Sequence, residues 1–313
     1  MSEANDFDSA SASEPGDDGV RGRSPREGTA MNGETADPDV FGLRDKPVLV
    51  VGGGSGIGRA TALLLGRVGA HVAVADLDIA RAREVSAEVA ALGVPSIALT
   101  GDVTEPTAAQ AVVDDAHGQL GGLFAVINIV GVASWADLLS MDIEMWESDL
   151  RSNLTHHLFV GRAAARHWIA DGVAGRLAIV TSISGIFGAP NHAAYGAAKA
   201  GAIALARTMA GEWAPHGIRV NSVAPDIIAT PRVVAGFTER GITDINEIVI
   251  ADGVPLARWG TPDEIAGPLV FLVSDLSNFM TGQNLVVDGG TQSRFPHGGP
   301  KPFKAEGEPA TDQ

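Results

Sequence analysis

The stretch from Val48 to Asp76, VLVVGGGSGIGRATALLLGRVGAHVAVAD, restricts what this chain can fold into more than any other. Val48 to Val51 has the length and composition of a short buried strand, and the glycines behind it let the backbone turn sharply into a helix starting near Ile57. The helix N-terminus is thereby aimed over the carboxyl end of the strand. Its unpaired N–H groups and the positive end of its dipole favour a phosphate there, provided no side chain blocks the approach. Gly52, Gly56 and Gly58 supply that bareness: Gly52 for the tight turn, Gly56 for contact with a pyrophosphate, Gly58 for close packing of helix on strand. Ile57, Ala60, Leu64, Leu65 and Val68 follow at helical spacing and Gly69 ends the helix. A second buried strand, HVAVAD, closes on Asp76.

The spacing G-x-x-x-G-x-G differs from the commonest dinucleotide fingerprint, so its surroundings carry the assignment. A strand precedes it, a helix follows, and Asp76 falls 20 positions after Gly56, where an acid can bond a ribose 2′-hydroxyl. The competing assignment is a glycine-rich turn in some other α/β protein. A P-loop is excluded, because no Gly-Lys-Ser/Thr follows.

Composition narrows the function classes. Of 313 residues 45% are hydrophobic but only 5% aromatic, so the core is built from Ala, Val, Leu and Ile, as in a sheet buried on both faces. The absence of cysteine removes disulfides, thiolate nucleophiles, iron–sulfur clusters and cysteine-ligated zinc together. A net charge of −16 argues against a nucleic-acid partner, which requires a basic stripe. No apolar run reaches the roughly 18 residues that span a bilayer, and Met1 is followed by acidic and small residues, so a soluble cytoplasmic protein without a membrane partner is expected. Residues 1–40 are too poor in apolar groups to offset ordering entropy and read as a disordered acidic tail. Met31, at the edge of that tail, is a candidate translation start. Residues 295–313 read as a second tail, leaving 41–294 as one folded domain.

Along that domain strands and helices alternate, which gives βαβ units and a parallel sheet. Ile79 to Leu92 reads as helix, Ser96 to Leu99 as strand, Thr107 to His117 as helix and Phe124 to Val130 as a buried strand. Trp135 to Asp171 is expected to be mostly helical and carries Asn153 and the pair His156-His157. Adjacent histidines do not converge on one ligand from a helix and no H-E-x-x-H is present, so both are assigned structural or surface roles and no metal is expected. Arg176 to Thr181 is the next strand, followed by Ser182-Ile183-Ser184-Gly185 and the helix YGAAKAGAIALARTMAGEW. Small residues around most of that helix predict contacts on two sides, one with another subunit. Strands at Arg219 to Val223 and Leu285 to Val287 flank a helix from Thr261 to Ser274. The segment 226–255 exceeds ordinary connection length and reads as a substrate loop or lid.

Tyr195 and Lys199, four apart, share one helix face. A tyrosine with a pKa near 10 needs a nearby cation before it can do acid and base work close to neutrality. Y-x-x-x-K alone is a common pair; Ser182 at the end of the preceding strand and Asn153 on the helix before it are what make it informative.

With VGGGSGIG, Asp102-Val103, Asn128 with Gly131, Asn153, Ser182, YGAAK, RVNSVAP and the closing LARWGTPDEIAGPLVFLVSDLSNFMTGQNLVVDGG in this order, the chain resembles the short-chain dehydrogenase/reductase family from about Phe41 to Gln292. The resemblance implies a single doubly wound Rossmann domain of α/β class, with a mostly parallel seven-stranded sheet and helices on both faces. It implies a catalytic tetrad: Tyr195 as general acid/base, Ser182 holding the substrate oxygen, Lys199 lowering the tyrosine pKa and holding the nicotinamide ribose, Asn153 anchoring a water that relays protons. Ser184 competes for the serine role; Ser182 is preferred because Gly185 and Gly188 then fall where the family's loop has glycines. The cofactor site implied is Gly52, Gly54, Ser55, Gly56, Ile57, Gly58, Asp76, Leu77, Asp102, Val103, Asn128, Gly131, Tyr195, Lys199, Pro225, Ile228 and Thr230. Asp102 in isolation reads more readily as an N-cap or turn aspartate.

Asp76 would repel a 2′-phosphate, and neither Ser55 nor Leu77 supplies a compensating cation, so NAD is the expected cofactor. Arg59 and Arg81 read as solvated helix residues. Val51, Ile129, Val130 and Asp226 depart from the family's usual Thr, Asn-Ala and Gly; Asp226 would place a charge near the nicotinamide carboxamide. The expected function is oxidation of a secondary alcohol by NAD, with Ile227, Ile228, Val233, Val234, Phe237, Ile248 and Val249 pointing to an apolar, alicyclic or steroid-like substrate. The alternatives are a 3-oxoacyl-type ketoreductase using NADPH and a non-catalytic NAD-sensing regulator. A homotetramer is the assembly implied.

Overall fold

A computed structural model describes residues 39–239, 241 and 253–293. The expected N-terminal tail before residue 39, Met31, positions 240 and 242–252 of the expected lid with Ile248 and Val249, and the tail from 295 lie outside the described residues.

The strands are β1 (Pro47–Val51), β2 (His71–Asp76), β3 (Ser96–Thr100), β4 (Ala125–Asn128), β5 (Arg176–Val180), β6 (Arg219–Pro225) and β7 (Asn284–Val287). They form one seven-stranded sheet in the order β3-β2-β1-β4-β5-β6-β7, and every neighbouring pair is parallel. The helices are α1 (Gly56–Arg67), α2 (Ile79–Ala90), α3 (Pro106–Leu120), α4 (Ile143–Leu150), α5 (His156–Asp171), α6 (Ala193–Trp213), α7 (Pro231–Glu239) and α8 (Pro262–Val273). The chain reverses its direction of strand addition between β1 and β4. A crevice opens at the carboxyl ends there, where ligands of open α/β sheets bind.

Period-two alternation explains the two layers. Leu49 and Val51 of β1 and Ala73 and Ala75 of β2 face one core with residues of α3, α5 and α6. Val48, Val50, Val72 and Val74 face the other with residues of α1, α2 and α8. Both faces are covered, which is why the strands read as unbroken apolar runs.

Local signals set the helix ends. The Asp78 carboxylate accepts from Ala80 N at 2.9 Å to open α2. Pro106 opens α3 and Gly121, in the left-handed region, closes it. Thr261 and Glu264 make a reciprocal capping box at the start of α8. At the opposite end of α8, Arg219 donates to Leu272 O, at 3.1 Å, and to Ser274 O, and Arg176 donates to Val273 O, placing cations where the helix dipole is negative.

The helical stretch is shorter than expected. Residues 135–142 are not helical, and between α4 and α5 lies one π turn, Arg151–Thr155, that carries Asn153. Such insertions recur at functional sites. Here it accompanies Asn153 Nδ2 donating to Asp149 O at 2.9 Å in place of a backbone donor. No helix among the described residues is long and apolar enough to cross a membrane.

Candidate active site

The glycine turn is held before any ligand arrives. Gly52 N and Gly53 N donate to Ala75 O at 2.8 and 2.9 Å, tying the turn to β2. Gly52 and Gly56 have φ of +80° and +52°, which side chains adopt at a cost. A Cβ on Gly58 would lie 1.9 Å from Gly52 O, so helix and turn touch as that glycine predicted. Ser55 precedes α1 without a side-chain cap bond, leaving first-turn donors for an anion. Thr230, with Ile228 buried nearby, lies over the turn: a Cβ on Gly56 would be 3.1 Å from the Thr230 methyl. Val130 presses on the same turn, 3.2 Å from where a Gly52 Cβ would stand.

Asp76, at the end of β2, accepts from Gly54 N on Oδ2 and from Asp78 N on Oδ1, both at 3.0 Å. Arg81 Nη2 also donates to Oδ1, at 2.8 Å. Two expectations change here. Arg81 is paired with Asp76, and Arg59 donates through Nε to Glu88 at 3.0 Å, so neither is simply solvated. The cause is the helix start: α2 turns back over the strand end and brings position 81 to position 76. Leu77 is exposed beside them. Asp102 takes the turn role, its Oδ1 accepting from Thr104 N and Oγ1 at 3.0 and 2.7 Å, with Val103 buried next to it.

The proposed tetrad converges at the ends of β4 and β5. Asn153, fully buried, holds the backbone after β4: Oδ1 accepts from Val132 N at 3.0 Å and Nδ2 donates to Val132 O at 2.6 Å. A Cβ on Gly131 would stand 3.0 Å from Asn153 Oδ1 and 3.2 Å from Lys199 Nζ, so these side chains pack closely on the bare backbone there. Lys199 Nζ donates to Val180 O at 2.9 Å and lies 5.6 Å from the centre of the Tyr195 ring. Ser182 Oγ accepts from Ser184 N at 3.1 Å, and Ser182 is the serine that acts on the Tyr195 phenol. That favours Ser182 over Ser184.

Burial dominates the electrostatics of the site. Burial raises the Tyr195 pKa above its usual value; the Ser182 hydrogen bond opposes this and the nearby Asp149 carboxylate adds to it. Burial alone pushes the Lys199 ammonium down to about 7. His156 and His157 are fully buried, not on the surface. Asp226 Oδ2 accepts from Thr291 Oγ1 at 2.6 Å, beyond β7. Pro225 closes β6 opposite Val287, while Asn128, buried at the end of β4, meets His156.

Several residues at the mouth were not singled out from sequence. Asp149 is 2% exposed; Ser134 donates to it through Oγ at 2.8 Å and through N at 3.3 Å. His192 Nδ1 lies 3.0 Å from Ser134 O, and its ring stands 3.3 Å from the Trp135 ring and 5.9 Å from that of Tyr195. Asp149 could have been found, since it precedes Asn153 by four and shares its face. Val132, Trp135, Ile186 and Phe187 are exposed apolar side chains on the loops next to the tetrad. Among the described residues no group of His, Asp and Glu side chains could hold a metal.

Known proteins share this arrangement of elements. The family described as enoyl-(acyl carrier protein) reductase matches residues 52–292. The chain is 31% identical over 254 residues to 2-dehydro-3-deoxy-D-gluconate 5-dehydrogenase of Escherichia coli, covering 81% of this chain and 98% of that one. It is 34% identical over 253 residues to cyclohexanol dehydrogenase of an Acinetobacter species, covering 80% and 97%. A crystal structure of a short-chain type dehydrogenase/reductase from Mycobacterium marinum superposes with a TM-score of 0.76 at 32% identity, covering 82% of this chain and 99% of that one. A parallel sheet with a glycine turn at its switch point, and relatives matched over nearly their whole length, lead to one conclusion: this chain is an oxidoreductase of the short-chain dehydrogenase/reductase family.

Proposed function

We propose that this protein is an NAD-dependent dehydrogenase acting on a secondary alcohol and its ketone, with an apolar, alicyclic or steroid-like substrate. The observation that carries it is the meeting of Ser182, Tyr195, Lys199 and Asn153 beside the bare turn at Gly52 to Gly58. The residues fit a dinucleotide: open donors at the start of α1 for the diphosphate, and the Asp76 carboxylate at the end of β2 for the ribose hydroxyls. The nicotinamide, when bound, accepts or supplies the hydride. Tyr195 Oη takes the hydroxyl proton in oxidation and returns it in reduction, and Ser182 Oγ stabilises charge on the same oxygen. Lys199 holds the nicotinamide ribose and Asn153 anchors a relay water. The apolar rim of Val132, Trp135, Ile186 and Phe187 supports the substrate class, as does likeness to a cyclohexanol dehydrogenase. A cytoplasmic homotetramer is the assembly proposed; the Ala-rich face of α6 at Ala197, Ala200 and Ala204 is exposed in the single chain and available to a second copy.

The assay gives purified protein NAD or its 2′-phosphate with a panel of cyclic and acyclic secondary alcohols and follows absorbance of the reduced cofactor. Turnover with NAD supports the proposal, and binding of NAD without turnover of any alcohol or ketone overturns it in favour of a sensor. One observation favours a second cofactor: the Arg81 guanidinium beside Asp76 could face a 2′-phosphate. Asp76→Asn separates the two. If NAD is the cofactor, KM for NAD rises by about tenfold or more, the worth of one hydrogen bond to a charged group, while use of the phosphorylated cofactor improves. An unchanged preference would remove Asp76 as the determinant.

Burial holds the phenol above its usual pKa, so the basic form that oxidation needs is scarce at neutral pH. The sign follows: alcohol oxidation gains roughly tenfold per pH unit below the phenol pKa as pH rises, and ketone reduction does not. An initial-rate profile of oxidation that stays flat from pH 6 to pH 9 would exclude Tyr195 as the base, apart from control by product release.

A further inference from the structure

Asp149 is a buried carboxylate that the proposed tetrad does not use. It stands four positions before Asn153, so the two side chains share a helix face, and Asn153 Nδ2 donates to Asp149 O at 2.9 Å. A carboxylate taken out of water needs strong donors. Both of its oxygens find them on one residue: Ser134 Oγ donates to Oδ1 at 2.8 Å, and Ser134 N to Oδ2 at 3.3 Å.

The Ser134 carbonyl then accepts from His192 Nδ1 at 3.0 Å. A carbonyl only accepts, so Nδ1 carries a proton in this bond and the orientation of the ring is set. Neighbouring bonds repeat the arrangement: Asn153 holds Val132 at both N and O, and Ala136 N donates to Asn191 O at 3.0 Å. Residues 132 and 134 are thus anchored on the α4 side, and 134 and 136 on the chain entering α6. His192 immediately precedes α6, with its ring 5.9 Å from that of Tyr195, inside the range of aromatic contact, and the Trp135 ring lies against it. A series of contacts therefore runs from the Asp149 carboxylate through Ser134 and His192 to the Tyr195 ring.

We propose that Asp149 is a positioning residue: by gripping both donors of Ser134 it holds the loop 132–136 and the His192 ring in place beside Tyr195. A neutral amide at 149 would serve less well. Hydrogen bonds to a charged acceptor are about twice as strong as neutral ones, and the NH2 group of an amide would face one of the two Ser134 donors. The charge has a second consequence. An anion near a phenol favours its protonated form, and Asp149 adds to the burial that keeps the Tyr195 pKa above its usual value. The other groups facing Tyr195 are Ser182 from the turn after β5, His192 ahead of its own helix and Lys199 one turn along it. The protonated phenol is the form that ketone reduction uses, so Asp149 biases the free site toward reduction. That consequence for turnover rests on the function proposed above; the grip on Ser134 does not.

Composition supplies the test. Tyr195 is the single tyrosine of the chain, so ultraviolet titration of the phenolate reports that group alone, with neither substrate nor cofactor present. Asp149→Asn should lower its midpoint by about one unit, and the rise of alcohol oxidation with pH should move down with it. Ser134→Ala keeps the charge and removes one of the two donors. Its phenol midpoint should move by less than about a third as much, while KM for the alcohol rises about threefold or more with little change in kcat. Because both substitutions break one grip, the double variant should raise KM by less than the product of the single effects. A carboxylate that served stability alone would lower Tm and leave the phenol titration where it is. An unmoved midpoint in folded Asp149→Asn, or an unchanged KM in Ser134→Ala, overturns the proposal. If Asp149→Asn does not fold, Ser134→Ala decides. A shifted phenol titration in a protein that turns over no alcohol would leave Asp149 in its role and remove the dehydrogenase assignment.

Discussion

Tyr195→Phe is expected to cut alcohol oxidation by about 10²–10⁴-fold, the usual worth of a positioned acid or base, with the NAD dissociation constant changed by less than about threefold. The substitution removes one oxygen and keeps the ring, so the contacts of α6 survive. Tyr195 is half-buried, and the side chain that acts on its hydroxyl is Ser182, on the substrate side. The diphosphate end is built from other elements, β1, α1 and β2, and has no part in that interaction. Calorimetric binding of NAD alongside initial rates separates the two effects. Lys199→Met added to Tyr195→Phe should cost little more than either change alone, because residues that act as one unit are not additive. A phenylalanine variant retaining more than about a tenth of the activity would sink the assignment of the acid/base.

The inner strands were legible because they are buried on both faces and appear as apolar runs, β1 closed by Gly52 and β2 by Asp76. The glycine turn was legible for a similar reason: a position such as Gly58, which no side chain can occupy, announces itself by residue type. What escaped were contacts between residues whose nearness depends on where a loop returns. Asp226 finds Thr291, 65 positions away. Arg81 reaches Asp76 only because α2 begins with a tight Asp78 cap that folds it back over β2. Asp149, Ser134 and His192 come from three segments, and no spacing rule links a helix carboxylate to a loop hydroxyl and a residue at the start of another helix. His156 and His157 read as structural or surface residues, because two adjacent histidines on a helix do not converge on one ligand. Their burial follows from the sheet they face, which residue type alone does not reveal.

Gly58→Ala tests whether the turn governs both stability and cofactor binding. In an ordinary exposed helix position this change stabilises by about 0.5–1 kcal/mol, since alanine loses less backbone freedom on folding. Gly118, exposed in α3 with nothing within 4 Å of its would-be Cβ, is such a position, and Gly118→Ala should follow that rule. At Gly58 the new methyl would stand 1.9 Å from Gly52 O and 2.8 Å from Gly53 Cα, both backbone, so no rotamer change can make room. Helix α1 must move off the turn, or the turn must give up its bonds to Ala75 O. Overpacking of this kind costs about 1–3 kcal/mol or more, which in a domain of this size lowers Tm by roughly 2–4 °C per kcal/mol. The displaced N–H groups also no longer converge on a diphosphate, so NAD affinity should fall by at least about tenfold, the loss of one charge-assisted hydrogen bond. Thermal melts and calorimetry on the two alanine variants therefore predict opposite signs for one chemical change. A Gly58→Ala protein that melts like the parent and binds NAD as tightly would show that the phosphate is held somewhere other than this turn.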